Sequence, residues 1–150
     1  MIIRETTHRF SPLSFNRAMV GRRLPMLLTA AGRAYFANCP AGEQEEIVEM
    51  LQAGAGGVEQ QIIARDGALV RALIKRVRDA GYGGNNGDWA DQAKIGALAV
   101  PVFADGAVRG SLSVVYLRRA VALAEAERKF LPQLRQAALD IGAALESDAG

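Results

Sequence analysis

The clearest pattern of apolar and polar positions lies in the second half of the chain. Ile95 to Phe103 is small and apolar throughout, Asp105-Gly106 reads as a two-residue turn, and Val108 to Leu117 returns. On the return strand Val108, Gly110, Leu112, Val114 and Tyr116 are expected on one face. Arg109, Ser111, Ser113 and Val115 are expected on the other. From about Leu123 onward a helical period follows, with Leu134, Ala138, Ile141 and Leu145 on one side. Pro132 is expected to kink this helix or mark its true start.

The first half reads differently. Residues 1–24 suggest strands and turns, with Pro12 confining the segment 10–16 to an edge or bulged strand. Thr29 can cap a helix that Pro40 stops. A second helix is expected near Glu43, with Glu43, Glu45 and Glu46 in its first turn and Ile47, Val48 and Leu51 as its apolar stripe. The run Gly54 to Gly57 is a break. Asp66 can cap a third helix that buries Leu69, Val70, Leu73, Ile74 and Val77 and ends at Gly81. Residues 81–87 read as loop or weak strand. Helices set apart from hairpins predict an α+β fold on an antiparallel sheet, in a single domain covering residues 1–150.

Composition narrows the class. The 150 residues are half hydrophobic, and 18 Lys+Arg against 16 Asp+Glu leave a net charge of +2. That excludes global disorder and gives no clustered nucleic-acid footprint. No run approaches the roughly 18 apolar residues of a membrane span. The lone Cys39 fits a reducing cytoplasm and excludes an internal disulfide. With His8 as the only histidine, no ordinary zinc site can be assembled, and no metal or cofactor is expected.

Most chemical motifs fail. No P-loop is present, and Gly81-x-Gly83-Gly84 lies after a helix rather than between a strand and a helix. His8 has no positioned nucleophile, Cys39 suits a buried filler, and Asp88 and Asp91 around Trp89 suit solvated acids. Two features remain. Thr29-Ala30-Ala31-Gly32 puts tiny side chains on the first turn of a helix, where free amides can hold an anion; the same residues suit close packing on a sheet. Ser111 and Ser113 bring hydroxyls beside Gly96, Ala97 and Ala99, where a ligand could meet them; a solvent-facing strand would carry serines equally well.

The stretch Gly21 to Ala37, GRRLPMLLTAAGRAYFA, resembles the pattern G-x-x-L-P-x-x-x-T/S-A-x-G-K/R-A-x-L-A of the effector-binding domain of IclR-type bacterial transcription regulators. Gly81-Tyr82-Gly83, the strand Ile95 to Phe103, Gly110 to Val114 and Leu131 to Leu134 resemble later family segments in the right order. The opening residues 3–10, the block 17–25 and the surroundings of Trp89 look most like activators of phenylpropionate and hydroxyphenylpropionate breakdown. The resemblance implies a GAF/PAS-like antiparallel sheet flanked by helices, without catalysis. It implies sensing of a small carboxylate, read out through a separate N-terminal winged helix-turn-helix that alone touches DNA. That DNA-binding part and the start of the sensor domain are expected to lie outside this chain. A cytoplasmic homodimer or homotetramer away from membranes is also implied.

Carried over by position, Ala30 and Ala31 would supply carboxylate-binding amides, Ala97 apolar space, Ser111 and Ser113 hydroxyls, and the loop near Asp88 an acidic contact. Arg22 and Arg17 are additional candidates for pairing with a carboxylate, and Met19, Leu24 and Trp89 for walls around an aromatic ring. The competing readings are a GAF-like small redox enzyme and a dimerisation module with a filled core.

Overall fold

The computed structural model describes residues 1–7 and 19–148. His8, Arg17 and the expected strand over 10–16 lie outside the described residues. Four helices come first: α1 (Ala30–Asn38), α2 (Ala41–Gln52), α3 (Val58–Arg65) and α4 (Gly67–Ala80). The strands β1 (Gly83–Asn85), β2 (Ile95–Ala104) and β3 (Ala107–Leu117) follow, and α5 (Leu123–Asp148) closes the chain. The strands form an antiparallel sheet in the order β1-β2-β3. This is the expected α+β architecture. Alternate residues of β2 face opposite ways. Ala99 meets α1, whereas Leu98, Val100 and Val102 meet α5.

Local chemistry accounts for the boundaries. Thr29 Oγ1 accepts from the Gly32 amide at 3.1 Å and starts α1. Asp66 Oδ1 accepts from the Ala68 and Leu69 amides at 2.9 and 3.1 Å and starts α4. Gly81, at φ 72°, ends α4 in the left-handed conformation. Asp105 and Gly106 both have positive φ, as a type I′ hairpin requires. Near the N-terminus, Ile2 bridges Arg23, with Ile3 N donating to Arg22 O and Leu24 N to Met1 O.

Several expectations need correction. Helix α3 was not expected; it buries Gln60 and Ala64 while Val58 and Ile62 face outward. Of the three glutamates expected in the first turn of α2, only Glu43 lies there. Leu69 is half exposed. A register shift between Val102 and Phe103 sends Val108 into the cluster of Leu27, Phe36 and Val77, away from Leu112 and Tyr116. Pro132 neither starts nor stops α5, because Leu131 and Leu134 anchor the helix on either side of it. The end of α5 rests on the sheet through Gly142, leaving Ile141 and Leu145 exposed.

Candidate functional site

The site is built around the start of α1. Three buried polar side chains hold the segment leading into it. Leu27 N donates to Gln60 Oε1 at 2.9 Å, Arg33 Nε donates to Leu27 O at 2.8 Å, and Asn85 Nδ2 donates to Leu28 O at 3.0 Å. Thr29 Oγ1 also donates to Pro25 O at 2.8 Å. Close backbone approach needs glycine at two places. A Cβ on Gly32 would stand 2.2 Å from Met26 O, and one on Gly83 would stand 2.3 Å from Ala30 O.

The sheet register completes the arrangement. Ala97 lies opposite Val115, Ala99 opposite Ser113, and Pro101 opposite Ser111. Opposed residues share a face, so Ala97, Ala99, Ser111 and Ser113 all belong to the α1 side. Ala30, Ala31, Ala34 and Ala99 pack as one buried cluster, with Met1, Leu24 and Ala97 against it. Ser111 Oγ donates to Ala31 O at 3.0 Å and lies 3.7 Å from Met1 Sδ. Ala30, Ala31, Ala97 and Ser111 are therefore brought together, and the small residues serve close packing as well. Ser113 is on the same face but exposed.

Electrostatically the helix start is open. Gly32 N is taken by Thr29, but no acceptor among the described residues takes the amides of Ala30 and Ala31. Both residues are nearly out of water, at 1% and 8% exposure. Two amides so placed, at the positive end of a helix dipole, favour an anion.

The other expected residues are placed differently. Asp88 Oδ2 pairs with Arg33 Nη1 at 2.7 Å, and the same nitrogen donates to Gly84 O at 2.6 Å. Trp89 is half-buried and precedes a single 3-10 turn, Ala90–Gln92. Arg22 is exposed, with Nη1 3.6 Å from Met19 Sδ. Leu24 joins the small-residue cluster. Sequence reading missed Arg33, Asn85 and Gln60. The one available signal was a charged residue inside the otherwise small and aromatic run of α1.

Cys39 is buried, and its thiol donates to Phe36 O at 3.3 Å. Burial, followed by nearby Glu43, pushes its pKa up to about 11, so it stays a thiol at neutral pH. Two surface clefts lie elsewhere. One of about 380 Å³ runs over Phe36, Val48 and Ile74, and one of about 780 Å³ lies between β2 and α5 at Phe103 and Leu139. Among the described residues no group of His, Cys, Asp or Glu could hold a metal ion, and no helix is long and apolar enough to cross a membrane.

The family model described as bacterial transcriptional regulator IclR, C-terminal, matches residues 10–143. The chain belongs to this family. Among solved structures it is similar to a transcriptional regulator from Rhodococcus sp. RHA1, with 26% identity and a TM-score of 0.72 over 91% of this chain and 53% of that one. It is similar to the C-terminal domain of the E. coli regulator KdgR, with 25% identity and a TM-score of 0.68 over 85% and 75%. It is also similar to an IclR homologue from Microbacterium hydrocarbonoxydans complexed with 4-hydroxybenzoate, with 27% identity and a TM-score of 0.62 over 88% and 50%. The chain thus spans about half the length of the Rhodococcus and Microbacterium proteins. The matching family and the Rhodococcus and E. coli relatives are transcriptional regulators.

Proposed function

We propose that this chain is the effector-sensing part of a cytoplasmic IclR-type regulator and takes an aromatic carboxylate at the start of α1. The observation that carries the reading is the pair of open amides at Ala30 and Ala31, next to a serine-bearing sheet face. The carboxylate accepts from both amides. The ring lies over Ala97, and a polar tail meets Ser111 or Ser113. Arg22, Asp88 and Trp89 border the site from flanking segments. Support for an aromatic ligand comes from the Microbacterium relative, crystallised with 4-hydroxybenzoate. The likeness of residues 3–10 and 17–25 to (hydroxy)phenylpropionate activators makes the phenylpropionates the first compounds to try.

In this reading occupancy is passed to an N-terminal winged helix-turn-helix beyond this chain, within a homodimer or homotetramer. A difference of about 1–3 kcal/mol in affinity between two conformations suffices for such control. The redox alternative loses ground with Cys39 held as a buried thiol.

The test is a titration followed by thermal shift and by the Ala30 and Ala31 amide resonances. 4-Hydroxybenzoate and 3-phenylpropionate should raise Tm with concentration and move both resonances, while phenol, lacking the carboxylate, should do neither. Carboxylates that stabilise the chain without moving those amides would place the site elsewhere. No stabilisation by any of them favours the dimerisation module.

A further inference from the structure

We infer that Arg33 and Asp88 are a positioning pair, fixing the open amides of α1 and tying the Trp89 loop to them. The inference rests on the start of α1 being the effector site. Arg33 is the hub, at 6% exposure. Its Nε holds Leu27 O, two residues before the Thr29 cap, and its Nη1 holds both Gly84 O and Asp88. A guanidinium cannot shed its charge, so burial calls for a counter-charge. Asp88 is the carboxylate within ion-pair distance among the described residues. Its side chain is half in water, at 50% exposure, so water can replace it on Arg33 when the loop moves.

Three stretches of chain therefore meet on one side chain: the segment before α1, strand β1, and the loop between β1 and β2. Asn85 repeats the connection. Its Nδ2 holds Leu28 O, and its Oδ1 accepts from the Gly87 and Asp88 amides at 2.9 Å. The loop thus reaches Leu27 O through Arg33 and Leu28 O through Asn85, whose Oδ1 holds its first amides. A loop displacement turns these two peptide units and re-aims the amides of the first α1 turn. Asp88 acts on the effector through this geometry and does not touch it. Trp89 follows it directly in sequence and moves with it.

The single tryptophan makes the pair measurable without a ligand. In the ligand-free chain, Asp88→Asn should shift the loop's open-to-closed ratio about threefold, the worth of a half-exposed ion pair, read as a higher acrylamide quenching constant of Trp89. It should also displace the Ala30 and Ala31 amide resonances, with Tm falling by no more than the few degrees a half-exposed pair is worth. Asp88→Glu, which keeps the charge, should restore both signals. Unchanged quenching and resonances in Asp88→Asn overturn the inference. Titration with 4-hydroxybenzoate gives the second arm, where Asp88→Asn should bind about three- to tenfold more weakly than wild type. Equal affinities overturn the inference. A wild type that ignores 4-hydroxybenzoate, with the ligand-free signals still shifting in Asp88→Asn, supports the pair and counts against the proposed ligand.

Discussion

The two faces of the sheet are held by different physics. Toward α5, Leu98, Val100, Val102 and Tyr116 meet Leu131 and Leu134, so adhesion comes from large apolar side chains. Toward α1 the contact is mainly Ala30, Ala31 and Ala34 on Ala99, with Gly83 pressed against the helix backbone, and Val108 at the far end of β3 meets Leu27 and Phe36. Four alanines bury little apolar area. Hydrogen bonds across this face add to it: Arg33 Nη1 donates to Gly84 O, Asn85 Nδ2 to Leu28 O and Ser111 Oγ to Ala31 O. The lesson is that small side chains bring main-chain donors to the sheet surface. A face of large side chains hides its backbone; a face of alanine and glycine presents it, which is what the proposed carboxylate site requires.

The sharpest way to break this comparison is to exchange the two kinds of packing. Leu98→Ala, at a fully buried residue of the α5 face, should cost about 2–5 kcal/mol in chemical denaturation, through lost transfer energy and the cavity left behind. Gly83→Ala should cost about 1–3 kcal/mol for the opposite reason, since its methyl must push α1 off the strand. The site amides should feel the second change and ignore the first. Ala30 and Ala31 resonances that move in Leu98→Ala as much as in Gly83→Ala would show that the faces are not separable.

Much of this was legible because it is local. Thr29, Asp66, Gly81 and Asp105-Gly106 each set their element's boundary through neighbouring backbone, and each appears where its residue type directs. Helix α3 was illegible because its pattern is inverted, burying Gln60 and exposing Val58 and Ile62. Val108 was misassigned because a bulge carries no residue signature of its own here. At the site, the meeting of Ala30, Ala31, Ala97 and Ser111 follows from strand alternation and helix start, both readable. The engagement of Asp88 by Arg33 joins residues far apart in sequence, and a charged residue in a helix ordinarily reads as solvated.

A milder change probes the polar side of the contrast. Ser111→Ala removes one donor to Ala31 O without altering the backbone. A net loss of about 0.5–1.5 kcal/mol is expected, the worth of one such hydrogen bond. An effector whose polar tail uses the Ser111 hydroxyl competes with Ala31 for it, so the variant should also weaken that effector. Unchanged stability would mean that the α1 face is held without this bond, and the adhesive role given to hydrogen bonds would shrink accordingly.

The smallest expected effect comes from an unpaired polar atom on the apolar side. Tyr116 Oη is buried and has no hydrogen-bond partner among the described residues. The ring lies over Gly96, its cross-strand partner, where a Cβ would come within 2.5 Å of Cζ, and it stacks at a tilt on Phe130 with centroids 6.3 Å apart. Burial raises the Tyr116 pKa, with Glu127 adding to the shift, so the hydroxyl stays neutral and must keep its proton out of water. Tyr116→Phe preserves the ring on Gly96 and Phe130 and deletes only the unpaired group. An unpaired buried hydroxyl costs more than it returns, so the variant should match wild type or gain up to about 1 kcal/mol in denaturation. A loss of similar size would reveal an ordered water bridging Tyr116 toward Glu127, and the α5 face would then also lean on a polar tie.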